Sequence, residues 1–184
     1  MPLMFKKKFK QETHVFFIDN DDSYIRDVLA NFEEVNEHNI KIYSRSREFF
    51  EDFEKLEVNK RKIYIIFLAT TLETDEDNND VNVIDVLKRI KEINSQSEVI
   101  LYSEDDNINI VSSAFHYGAY TFVKKNENII LRIENNIKGI ISQKMFLLKK
   151  SSSRKITIIF LAFLILSSVS ILILYFIFPH MFIF

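Results

Sequence analysis

HVFFIDNDD, residues 14–22, decides the fold. Its unbroken apolar run ends in acids. Such a run reads as a central strand buried on both faces. The strand delivers Asp19–Asp22 to one end of a sheet. Downstream, Ile25, Val28, Leu29 and Phe32 recur at the spacing of one helical face. Ile40–Tyr43 predicts a second strand, and Phe49, Phe50, Phe53 and Leu56 a second helix. Ile63–Leu68 (IYIIFL) is strongly β-prone and predicts another central strand. Val83, Val86, Leu87 and Ile90 mark a third helix, and Val99–Tyr102 a fourth strand. A helix over Asn109–Tyr117 is expected to stop at Gly118, a left-handed cap. Tyr120–Val123 predicts a fifth strand. Ile130, Ile133, Ile137 and Ile140 define a last helix whose pattern continues through Met145 and Leu148. Strands alternating with helices predict an α/β fold: a parallel sheet with helices on both faces. Its functional crevice is expected where the strands end, at Asp19–Asp22, Ala69–Glu73, Ser103–Glu104 and Lys124–Lys125.

The C-terminal end reads differently. Ile156–Phe178 is a 23-residue run without a charged side chain. At about 1.5 Å per residue it reaches about 34 Å, enough to cross a hydrocarbon core of about 30 Å. Residues 144–155 carry five basic groups and no acid. The positive-inside rule therefore predicts a single-pass protein of the inner (cytoplasmic) membrane, with its N-terminal domain in the cytoplasm. MPLMFKKKFKQ lacks the apolar core of a signal peptide, so a tail anchor is expected. The expected organisation is a basic tail (1–11), a domain (12–143), a basic linker (144–155), a transmembrane helix (156–178) and a short apolar tail (179–184).

Composition narrows the chemistry. The chain has no cysteine, which excludes disulfides, thiolate metal sites and a cysteine nucleophile. Two glycines cannot build a Walker or Rossmann phosphate loop. A net charge of −2 gives no global field for nucleic acid, and no helix-turn-helix follows the domain. His14, His38, His116 and His180 lack zinc-ligand spacing. No cofactor is expected.

The strand ends resemble those of response-regulator receiver domains, the flavodoxin-like phosphoacceptor modules of two-component signalling. The resemblance covers roughly residues 12–143. It rests on IDNDD after the first strand, on Ser103 at the end of the fourth, and on GAYTFVKK, residues 118–125. It implies a five-stranded sheet of order 2-1-3-4-5. It also implies switch positions at Asp19, Asn20, Ser103, Tyr120 and Lys124, with Lys124 able to pair with Asp19. Family members dimerise or bind partners through the face made here by about residues 107–143.

The departures are chemical. The family's aspartyl nucleophile at the end of the third strand falls on Ala69, and a methyl group attacks nothing. Shifting to Leu68 or Thr70 restores no carboxylate. Asn20 replaces the second acid of the pair. The family's Mg²⁺ needs several oxygen ligands; the weak candidates left are Asp19 and Asp21. Lys125 stands where the family places proline. The expectation is a pseudo-receiver: a non-catalytic scaffold, tethered at the membrane, that binds proteins. Two alternatives stay open. One is a phosphorelay receiver using a displaced acid of the 73–80 loop, Asp75 or Asp77. The other is an accessory single-span subunit of a secretion, motility or transport complex, with Ser167, Ser168 and Ser170 as a polar patch in the span. Asp22 or Ser23 is expected to cap the first helix.

Overall fold

The computed structural model describes residues 12–32, 38–56, 59, 62–72, 81–105 and 107–177, with side chains of 148–156 and 172–177 outside the description. Five strands form one parallel sheet: β1 (Thr13–Ile18), β2 (Asn39–Tyr43), β3 (Ile63–Ala69), β4 (Glu98–Ser103) and β5 (Thr121–Lys124). Their order is β2-β1-β3-β4-β5, as expected. The helices are α1 (Asp22–Ala30), α2 (Ser46–Phe53), α3 (Val83–Ile93), α4 (Ile108–His116) and α5 (Ile129–Ile177). All residues of β1 and β3 are buried, which explains their unalternating apolar sequences.

Strand periodicity sorts the core into two layers. Phe17, Phe67, Ala69, Ile100, Tyr102 and Val123 face α1 and the first part of α5, meeting Ile25, Val28, Ile133 and Ile137. Phe16, Ile66, Leu68 and Leu101 face α2, α3 and α4, where Phe49, Phe53 and Leu87 are buried. Phe16 meets the Phe49 and Phe53 rings edge-on at 5.6 and 5.9 Å, a favoured aromatic geometry.

The end of α4 follows its sequence signal. Gly118 takes φ +89°, a conformation open to glycine without strain. Ala119 N then donates to Ala114 O at 2.9 Å, and Gly118 N to Phe115 O at 3.1 Å. Those two bonds satisfy the last carbonyls of α4 in a Schellman motif.

β5 begins one residue later than its sequence suggests and runs through Lys124. The helix cap also differs from expectation. Asp21, not Asp22 or Ser23, caps α1, its Oδ1 accepting from Tyr24 N at 2.9 Å.

The chain divides into two compact units, Met1–Ile141 and Ser142–Phe184. The helix assignment of α5 covers parts of both. In the first unit Ile129, Ile133, Ile137 and Ile140 are buried. In the second, the apolar side chains of residues 158–171 are exposed. Among the described residues, no helix is long and apolar enough to cross a membrane. The expected span extends at both ends past the side chains the structure describes. The basic tail 1–11, the acidic loop with Asp75 and Asp77, and the apolar tail 179–184 lie outside the described residues.

Candidate functional site

The strand ends converge on Asp19. Its side chain is 1 % exposed, and both carboxylate oxygens are engaged. Oδ2 accepts from Lys125 Nζ at 2.7 Å and from the Tyr102 hydroxyl at 2.8 Å. Oδ1 accepts from Asp21 N at 3.0 Å. The Lys125 ammonium also lies 4.9 Å from the centroids of both the Tyr24 and Tyr102 rings. A cation at that distance is attracted by the ring faces. The buried charge of Asp19 is thus matched by one partly buried cation and hydrogen-bonded on both oxygens, the condition for tolerating a charge out of water.

Both phenols hold their protons more tightly than usual. Burial pushes the Tyr102 hydroxyl well above the usual tyrosine range, and the Asp19 charge adds to that. Tyr24 is raised too, by burial first and then by Asp19, Glu104 and Asp21.

The lysine that reaches Asp19 is Lys125, not Lys124 as the motif alignment implies. Strand alternation is the physical reason. Val123 and Tyr102 point to the face shared with Asp19, and Lys125 continues that parity. Lys124 is the register partner of Ser103, on the opposite parity, and is exposed. The residue following the lysine of the pair is therefore Asn126. The described backbone holds no cis peptide.

The other predicted positions separate. Ser103 is buried and its Oγ accepts from Asp105 N at 3.2 Å, within its own loop. Its carbonyl accepts from Lys125 N at 2.7 Å. Tyr120 precedes β5 and is partly exposed, while the aromatic inside the strand is Phe122. Asn20 is exposed beside the site. Asp21 spends Oδ1 on the α1 cap and on the Ser23 hydroxyl at 2.7 Å. Those bonds, the Tyr24 amide first, hold its carboxyl below the usual range. Ala69 ends β3 with its methyl in the core at 2 % exposure. Thr70, next in the chain, donates its amide to Tyr102 O at 3.2 Å.

A divalent ion does not fit these residues. Asp19 has no free oxygen and faces an ammonium, Asp21 is committed to a helix end, and Ala69 offers no ligand. Among the described residues, no three carboxylate or imidazole groups gather to hold a metal. The residue missed from sequence is Tyr102. Its place at the end of an apolar strand resembles that of any core tyrosine, and only its parity with Asp19 marks it.

No family profile matches the chain, and no curated protein matches it. Solved structures do. A CheY-like response-regulator receiver domain protein from Methanospirillum hungatei JF-1 is similar at TM-score 0.59 and 12% identity, over 73% of this chain and 98% of that one. The beryllofluoride-activated NtrC4 receiver domain dimer is similar at 0.58 and 21% identity, over 71% and 98%. A two-component response regulator from Clostridium difficile is similar at 0.57 and 16% identity, over 71% and 97%. The fold is that of receiver domains. At these identities the likeness establishes the fold and not the chemistry.

Proposed function

We propose that the chain is a signalling module of the receiver fold without phosphoryl chemistry, a non-catalytic docking or scaffold domain held at the cytoplasmic face of a membrane. One observation carries this reading: β3 ends in Ala69, and Asp19 beside it is already neutralised by Lys125. A phosphoacceptor site needs a free carboxylate nucleophile and room for a divalent ion. Among the described residues the first is absent, and Asp19, which would help hold the second, faces an ammonium.

Two further observations support the docking and tethering parts. Ile108, Phe115, Tyr120 and Leu131 are exposed apolar side chains within residues 107–143. The NtrC4 receiver domain, similar in fold, is described as a dimer, which suits a protein partner or a second copy. The apolar exposure of residues 158–171, with the basic collar before it, suits a tail anchor.

The test is phosphoryl transfer to the full chain in detergent. Radiolabelled acetyl phosphate should leave no acid-stable, hydroxylamine-sensitive label, and beryllofluoride with Mg²⁺ should leave the amide spectrum unchanged. Stoichiometric labelling would defeat the proposal. Label lost on Asp75→Asn or Asp77→Asn would assign the chemistry to the acidic loop instead.

A further inference from the structure

The second unit contrasts with the first in how its helix is clothed. Around the sheet, α5 buries a single stripe. From residue 158 to 166, Ile158, Ile159, Phe160, Leu161, Phe163, Leu164, Ile165 and Leu166 are all exposed. Successive residues step about 100° around a helix, so this run covers every side. No polar stripe remains, and a helix that is apolar all round is one surrounded by apolar matter.

The polar patch of the span is internally satisfied. Ser167 Oγ donates to Leu164 O at 3.2 Å, Ser168 Oγ to Ile165 O at 2.9 Å, and Ser170 Oγ to Leu166 O at 2.9 Å. A hydroxyl has one proton to donate. All three protons are spent on the helix's own carbonyls, so none is left to donate across a helix pair. The collar Lys149, Lys150, Arg154 and Lys155 supplies the complementary charge for one particular environment. Each such residue near an anionic lipid surface contributes about 1 kcal/mol.

We infer that the partner of this helix is lipid and not protein: acyl chains cover it on every side, and headgroup phosphates meet the collar, so it crosses as a lone helix. This rests on the tail-anchor reading above and narrows it. Assembly with other proteins, or with a second copy, is then left to the sheet domain. The Ser167–Ser170 patch makes no interhelical contact.

The absence of cysteine makes the test clean, since one introduced cysteine can be labelled uniquely. The full chain, labelled near residue 12 with donor or acceptor dye, is reconstituted in vesicles of phosphatidylcholine with phosphatidylglycerol. Flotation and energy transfer are read on the same samples, for the natural sequence and for Ser167→Leu/Ser168→Leu/Ser170→Leu. The expected result is full flotation, with transfer at fixed protein-to-lipid ratio identical in the two proteins. A twofold or larger drop in transfer in the triple variant, with flotation intact, overturns the lone helix and keeps the anchor. Failure of the natural chain to float overturns both.

Discussion

At the carboxyl end of the sheet, Asp19 meets Lys125 under the rings of Tyr24 and Tyr102. At the amino end, His14 stacks on Tyr64 at 5.4 Å and its Nε2 lies 3.1 Å from Glu12 Oε1. Lys62 Nζ, 2.9 Å from Glu12 Oε2, completes that cluster. Both ends bury polar groups against tyrosine rings. One holds an ion pair, while the other holds an imidazole whose burial disfavours its charged form. Asn39 Nδ2 lies 3.2 Å from His14 Nδ1, and a neutral ring accepting there would carry its proton on Nε2, the side of Glu12. The difference teaches where this molecule responds to its surroundings. The end that carries chemistry in the receiver fold is closed by fixed partners; the opposite end keeps a group that a change of pH can reach.

The largest expected break is Lys125→Met. It leaves Asp19 buried without its cation, and such a loss costs about 3–5 kcal/mol. Urea unfolding should show it. The double variant Asp19→Asn/Lys125→Met should recover much of that loss, because the stranded charge is gone. Additive losses would mean that the pair is not the unit described. Next comes Tyr102→Phe, which removes one donor to a charged acceptor and should cost about 1.5–3 kcal/mol. A loss near zero would show that Lys125 and the Asp21 amide suffice for Asp19.

The smallest effect sharpens the other side of the comparison. Burial lowers the His14 pKa below its ordinary value, against an opposing pull from Glu12. The folded state therefore holds fewer protons on His14 than the unfolded chain, whose imidazole titrates near about 6.5. Stability is present above that pH and is lost as pH falls through the folded value. Unfolding free energy should decline between about pH 7 and pH 5, above the range where carboxylates dominate. In His14→Phe that decline should flatten. An unchanged slope would place the titrating group elsewhere.

The central places of β1 and β3 were legible because both are apolar without a break, and only central strands tolerate that; the full strand order came from the receiver resemblance. Asp19 was legible because it ends the first of them. Lys125 was not, because two adjacent lysines differ only in parity. The motif alignment selects Lys124; the parity of Val123 and Tyr102, which face the side of Asp19, selects Lys125. A one-residue slip moves a side chain to the opposite face. The cap at Asp21 was hidden for a similar reason, since three neighbouring residues can all cap a helix and only backbone geometry chooses. Tyr102 needed both ends of the argument, a strand parity and a buried carboxylate to meet.

Ala69 follows Leu68 as Asp19 follows Ile18 in the paired strands. An acid installed at 69 alone would stand beside Asp19 with one nearby ammonium for two carboxylates, where Ala69 is 2 % and Asp19 1 % exposed. Like charges so placed resist ionising together. Ala69→Asp is therefore expected to lower stability, by urea unfolding, more than Ala69→Asn, which adds no charge. On the proposed reading, the missing acid behaves as a ratchet for any descendant of this chain: simple to leave out, and costly to restore one mutation at a time.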